Sequence, residues 1–287
     1  MKNNILPNFL IVGTMKSGTS TLADYLARSA DIHIPNREVH YFNKDANYSK
    51  GSSWYSRQLT HGLSANDHNE NLLFGEKTPT YSYQPNCAER IKETVPNVKL
   101  IWIFRDPVRR AFSNYLHARK QGLEPLSFRQ SVEREKERVE RNIFYGYIER
   151  SKYVIQVERF LRLFPISGMH FLLFEDLVNS PHDELDKISE FLGVSKFGEL
   201  PTVHSNETTM PISPMSIYLA QKIGGHGSFF HKATRKINLK LAEVLPKRSP
   251  LIPSDIANDL SRVFAPYNKR LEELTGLELS TWRTHDS

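Results

Sequence analysis

Three short runs of apolar residues, at 9–12, 98–104 and 170–174, are each bounded by polar residues and followed by a stretch with helical spacing. Runs this short and this uniformly apolar fit strands buried on both faces of a parallel sheet. A fourth strand is placed at 72–75. Apolar positions recurring every three to four residues predict helices over 19–28, 52–59, 85–94, 107–120, 127–141, 153–164, 181–192, 214–223 and 254–274. Strands alternating with helices imply right-handed crossovers over one sheet. The expected fold class is therefore α/β, a three-layer arrangement with a central parallel sheet flanked by helices. Residues 224–250, rich in glycine, histidine, lysine and arginine, have weaker periodicity and read as an ordered loop with a short helix.

The first run, Phe9-Leu10-Ile11-Val12, leads into Gly13-Thr14-Met15-Lys16-Ser17-Gly18-Thr19-Ser20-Thr21. The glycines keep the five-residue step of a nucleotide-binding phosphate loop. Thr19, however, stands where the lysine of that motif belongs, and a lysine occurs at position 16 instead. A strand that turns through glycine into a helix offers unpaired N–H groups and the positive helix end to an anion. Lys16 adds a charge suited to a bridging oxygen rather than to a terminal phosphate. The plain alternative is a strand-turn-helix in which Ser17 and Thr19 cap the helix.

The second run ends in Phe104-Arg105-Asp106-Pro107. A strand ending in aspartate resembles the magnesium-holding strand of nucleotide triphosphatases, so a P-loop kinase acting on a small molecule is an alternative reading. Pro107 fits a first helical position, which makes Asp106 a natural N-cap. Ser113 lies two turns on along the same helix face, so Arg105 and Ser113 could grip one phosphate. Arg109 lies between them, available to the same anion or to a carboxylate.

With 287 residues and no linker-like stretch, residues 1–287 read as a single domain. A net charge of +6 favours anionic partners without choosing among them, and leaves open a non-catalytic polyanion-binding protein. No aromatic-basic motif points to nucleic acid. The single cysteine, Cys87, excludes an intrachain disulfide and has no metal-ligand spacing around it. No leader and no membrane-spanning run is expected, which places the protein in the cytoplasm. In the charged stretch after Ser131, Glu137 and Arg141 stand four residues apart and read as a solvated helix face or a mobile cover.

Lys16-Ser17-Gly18-Thr19-Ser20 resembles the loop that binds the 5′-phosphosulfate of 3′-phosphoadenylyl sulfate (PAPS) in sulfotransferases. Arg105-Asp106-Pro107 with Ser113 resembles their 3′-phosphate motif. Glu38-Val39-His40-Tyr41-Phe42 and Glu76-Lys77-Thr78-Pro79-Thr80-Tyr81 are similar to segments of the heparan sulfate glucosaminyl sulfotransferases and their bacterial relatives. Further similarity covers Arg150-Ser151-Lys152-Tyr153 through Phe164-Pro165, and Phe264-Ala265-Pro266-Tyr267-Asn268 with Leu271 and Trp282.

The resemblance implies a P-loop-like variant of that three-layer α/β fold and a metal-independent sulfotransferase that uses PAPS and releases adenosine 3′,5′-bisphosphate (PAP). The acceptor would be a hydroxyl or amine of a carbohydrate or small molecule, including a secondary metabolite. Glu38 matches the general base and Lys16 the group facing the leaving oxygen. Lys77 and His40 would orient the sulfuryl group, the acceptor or the base. The donor would be bound by Lys16, Ser17, Gly18, Thr19, Ser20, Thr21, Arg105, Ser113 and Tyr153. Residues 210–254 depart from the family and lack its basic cover loop. Lys232 and Arg235 are the best substitutes there, with Lys247 and Arg248 next. Read without the resemblance, Glu38 and Lys77 are surface charges, His40 a packing residue and Tyr153 a helix-core aromatic.

Overall fold

All three apolar runs are strands of one parallel sheet. In the computed structural model, which describes residues 4–63, 71–198, 211, 213–225, 227–244 and 250–282, the strands are β1 (Phe9–Gly13), β2 (Ile32–His33), β3 (Leu73–Lys77), β4 (Lys99–Phe104) and β5 (Met169–Leu173). Their order is β2-β3-β1-β4-β5. β1 pairs in parallel with β3 on one side and β4 on the other, with Leu10 opposite Glu76 and Leu100. The chain leaves β1 toward one side of the sheet and later returns to the other. That puts a topological switch point beyond the carboxyl ends of β1 and β4, the place where open α/β sheets bind ligands.

The described residues fall into two compact units interleaved along the sequence. The first comprises those of Met1–Arg105, Tyr153–Val203 and Arg270–Leu277, and holds the whole sheet. Period-two alternation along β4 sends Ile101 and Ile103 into a core with Ile11, Leu22, Leu26, Leu185 and Ile188. Trp102 and Phe104 point the other way, packing on Phe160 and Tyr153 with ring centroids 5.0 and 5.1 Å apart. Residue 174 was expected to close the last strand. Instead Phe174 opens the Phe174–Asn179 helix, because the strand pairing of β5 with β4 ends at Leu173.

The second unit comprises the described residues of Asp106–Lys152, His204–Lys269 and Glu278–Ser287. Its core gathers Val108, Ala111, Tyr115, Phe128, Tyr147 and Phe264. The Pro107–Lys120 helix has the predicted bounds and is capped by Asp106. The helix expected over 127–141 is two helices, Phe128–Glu133 and Glu135–Val139. The break lets buried Glu135 accept the N–H groups of Ile148 and Glu149 at 2.6 and 2.8 Å. Arg141 lies beyond the second helix, so the helical spacing with Glu137 is not realised. The ordered loop with a short helix expected over 224–250 contains a longer helix, Phe229–Val244 of 16 residues, preceded by Pro214–Gly224. Its periodicity was faint in the sequence because Phe229, Phe230, Ile237 and Leu241 sit on exposed positions, which blurs the apolar stripe.

Candidate active site

The loop after β1 is held from below. Thr14 donates its N–H to the Ile103 carbonyl at 2.8 Å, and its hydroxyl lies 2.7 Å from that of Ser17. Lys16 and Gly18 both take left-handed backbone angles, with φ of 73° and 87°. Gly18 is required twice over: for that φ, and because a Cβ there would overlap the Phe174 ring. The Thr19–Leu26 helix then starts with no side-chain cap and no acidic residue in its first turn. The capping alternative is therefore corrected: the N-cap is Gly18, and the Ser17 hydroxyl is turned to Thr14. The first N–H groups of Thr19, Ser20 and Thr21 and the helix dipole are left to attract an anion, so the cradle fits a phosphate or sulfate.

Arg105 follows β4 directly at the switch point. Its guanidinium lies over the Phe174 ring, 4.7 Å from the centroid, and Nη1 donates to the Lys16 carbonyl at 3.4 Å. The arginine is thereby drawn to the edge of the phosphate loop. Tyr153 is buried to 1 % exposure, and its hydroxyl donates to the Arg105 carbonyl at 2.9 Å. It holds the backbone from which Arg105 extends.

β3 delivers Lys77 on the other flank of β1. Lys77 Nζ donates to the Ser20 hydroxyl at 3.1 Å and lies 3.8 Å from Glu38 Oε1. The second carboxylate oxygen of Glu38 is 3.3 Å from His40 Nε2, and His40 Nδ1 is 3.3 Å from Asn43 Oδ1. The imidazole thus has an acceptor at each nitrogen. Burial, then the nearby Lys44 charge, hold the His40 pKa below its ordinary 6.5 despite the opposing pull of Glu38 and Asn43. The Nε2 edge of the ring thus faces one oxygen of the Glu38 carboxylate.

A buried network that motif reading missed fixes this cluster. Glu76, with no exposed surface, accepts hydroxyl hydrogen bonds from Tyr55 at 2.5 Å, Thr78 at 2.6 Å and Tyr81 at 2.8 Å. Two of those hydroxyls in turn hold the backbone that carries the Glu38–His40 pair. Tyr81 accepts the Tyr41 and Phe42 N–H groups at 2.8 and 3.4 Å, and Thr78 accepts the His40 N–H at 3.3 Å. These bonds secure His40 at its unusual φ of 55°. Burial raises the Glu76 pKa, opposed by the Thr78, Tyr55 and Tyr81 hydroxyls and the Val39 N–H. One signal was present in the sequence: a carboxylate at 76, immediately before Lys77, in a run otherwise suited to a buried strand.

The structure thus brings Lys16, Ser17, Gly18, Thr19, Ser20, Thr21, Glu38, His40, Lys77, Arg105 and Tyr153 into the first unit, and Ser113, Lys232 and Arg235 into the second. Within the second, Asp106 Oδ1 accepts the Val108 and Arg109 N–H groups at 2.8 and 3.2 Å, as expected of an N-cap. Arg109 Nε lies 4.0 Å from the other Asp106 oxygen, so it turns to the carboxylate. Ser113 is half-buried on the same helix, and Lys232 is exposed. Arg235 donates to the Gln121 side chain at 2.9 Å. Lys247 and Arg248 lie outside the described residues. Cys87 is buried and its thiol pKa is pushed up to about 12 by burial, which keeps it inert at neutral pH.

The chain is similar to known proteins along most of its length. The chain is 27% identical over 271 residues to mouse heparan sulfate glucosamine 3-O-sulfotransferase 3A1, covering 94% of this chain and 63% of that protein. It thus spans less than two thirds of that relative's length. It is 32% identical over 198 residues to the human 3B1 protein, covering 67% of this chain and 47% of that one. Among solved structures, a sulfotransferase from Alicyclobacillus acidocaldarius superposes with a TM-score of 0.71 at 26% identity, over 98% of this chain and 100% of that one. Among the described residues, no helix is long and apolar enough to cross a membrane. A model of the sulfotransferase domain matches residues 6–215, well over half of the sequence and inclusive of the phosphate loop, Glu38, Lys77 and Arg105; the chain belongs to the sulfotransferase domain family.

Proposed function

We propose that the protein is a PAPS-dependent sulfotransferase that modifies a hydroxyl or amine of a carbohydrate or small molecule, and that residues 1–287 serve it as one catalytic domain. The observation carrying this reading is Lys77, whose Nζ joins Ser20 of the anion cradle to Glu38. A base placed one lysine away from a phosphate loop suits transfer between a bound anion and a nucleophile. When bound, PAPS supplies the sulfuryl group and a bisphosphate leaving group.

The chain's own residues account for the rest. The N–H groups at Thr19, Ser20 and Thr21 hold the 5′-side anion, while Arg105 and Ser113 take the 3′-phosphate, with Lys232 and Arg235 as its basic cover. Lys16 neutralises charge growing on the oxygen that departs. Glu38 removes the acceptor proton, and His40 shares that proton through the contact at 3.3 Å. Lys77 sets the direction of the carboxylate and screens its charge from the incoming anionic group. The kinase alternative is weakened by Asp106, whose carboxylate is engaged in capping a helix, and by Thr19 in place of the motif lysine.

The test is calorimetric titration of PAP, followed by turnover of PAPS against a panel of sugar and small-molecule acceptors. Micromolar PAP binding and product sulfation are expected. Absence of binding by both PAP and PAPS at that concentration would reject the proposal.

A further inference from the structure

The helical pair Pro214–Gly224 and Phe229–Val244 has one face pinned and, among the described residues, the opposite face bare. On the pinned side, His231 is 2 % exposed; its Nδ1 accepts the Gly227 N–H and its Nε2 meets the Gln121 carbonyl, both at 3.1 Å. Asn238 ties the two helices, accepting the Ser213 N–H at 2.8 Å and donating to the Ser216 hydroxyl at 3.1 Å. Ile217 is buried against Gly122, where a Cβ would overlap it.

The outward face is apolar and basic together. Ile223, Phe229 and Phe230 are 85 %, 84 % and 69 % exposed, far more than large hydrophobic side chains need be on a water-facing surface. On the second helix, exposed Lys236 and Lys240 form one row at i,i+4, and exposed Ile237 and Leu241 form the adjacent row. From residue 208 to 242 the sequence has no aspartate or glutamate, but it has Lys222, Lys232, Arg235, Lys236 and Lys240. A cationic row beside projecting aromatic and aliphatic groups complements a negatively charged layer over an apolar one.

We propose that this helical pair docks on the surface of an anionic phospholipid bilayer. Phe229, Phe230 and Ile223 enter the boundary between headgroups and acyl chains, while Lys222, Lys236 and Lys240 pair with lipid phosphates. A soluble polyanion would engage the lysines but gives no reason for phenylalanines held out in water. The interaction is peripheral and is independent of the reaction proposed above.

The experiment is co-sedimentation of the full chain with phosphatidylglycerol–phosphatidylcholine vesicles and with pure phosphatidylcholine vesicles. Binding to the first, weakened by added salt and much reduced on the second, is expected. The double variants Phe229→Ser with Phe230→Ser, and Lys236→Glu with Lys240→Glu, should each lower partitioning about tenfold or more, with unchanged melting and PAP affinity. As a check that tolerates any loss of folding in those variants, Phe229→Trp should show blue-shifted emission on vesicle addition. The proposal is overturned if the chain ignores anionic vesicles, or if the phenylalanine variant binds them as well as the parent. It is equally overturned if Phe229→Trp emission does not move, or if sedimentation velocity shows a dimer that the phenylalanine variant abolishes, which would make a second copy the occupant.

Discussion

His40 Nε2 stands 3.3 Å from Glu38 Oε2, and the same carboxylate has Lys77 at 3.8 Å from its other oxygen. Glu38 is therefore gripped from both sides, by an imidazole at one carboxylate oxygen and a lysine side chain at the other. Replacing it by glutamine keeps the shape and removes the basicity. Glu38→Gln is expected to lower turnover by about 10²-fold or more while leaving PAP affinity, measured by calorimetry, nearly unchanged. Full turnover in this variant would remove Glu38 from the chemistry.

Tyr81 tests the buried scaffold. Its hydroxyl accepts two backbone N–H groups and donates to Glu76. Tyr81→Phe takes the buried acceptor from the two N–H groups and leaves Glu76 with two hydroxyl donors in place of three, at a cost of about 1–3 kcal/mol in stability. Turnover is expected to fall with PAP affinity retained, because the loop that carries Glu38 and His40 loses its tether and the phosphate cradle does not. Denaturant titration and steady-state kinetics read the two effects separately.

Arg105 tests the nucleotide assignment. Arg105→Ala should weaken PAP by roughly 1.5–3 kcal/mol, the scale of a hydrogen bond to a charged group, and should weaken adenosine 5′-monophosphate much less. If the parent protein binds the two nucleotides equally well, Arg105 does not read the 3′-phosphate.

Glu135 gives a pH dependence whose sign runs against the usual carboxylate behaviour. Burial raises its pKa from 4.5 to about 7, overcoming the Glu149 and Ile148 N–H bonds that favour the anion. Between those values the folded chain binds more protons than the unfolded one at this site. The group therefore favours folding below its unfolded pKa, and this contribution is lost as pH rises toward about 7. Glu135→Gln imitates the protonated form, so its melting temperature relative to the parent should climb across that interval. A difference that is flat with pH would contradict this account.

The sheet was legible in the sequence because β1 and β4 are buried on both faces almost throughout, and β5, half-buried at His170 and Phe171, keeps an apolar run of the same length. β2 was not, being two residues long. The helices at 107–120 and 181–192 were readable to the residue, since each has proline in its first turn. The Phe229–Val244 helix was not, because its exposed apolar positions give up the contrast on which periodicity depends. At the site, the glycine turn after β1 and the Asp106-capped junction after β4 could be read from spacing. The Glu76 network could not, because three hydroxyls converge on it from positions 55, 78 and 81 only after folding.

Phe174 touches both sides of the anion cradle. Its edge fills the space that a side chain at Gly18 would need, and its face carries the Arg105 guanidinium at 4.7 Å. A phenyl ring has a fixed thickness and only two torsions, so the gap between the helix N-terminus and the guanidinium is gauged by a rigid object rather than by loop conformation. Two anionic groups can engage both grips together only when their separation matches that gauge. Under the function proposed above, selectivity among nucleotides begins with a hydrophobic residue that carries no charge and forms no hydrogen bond through its side chain.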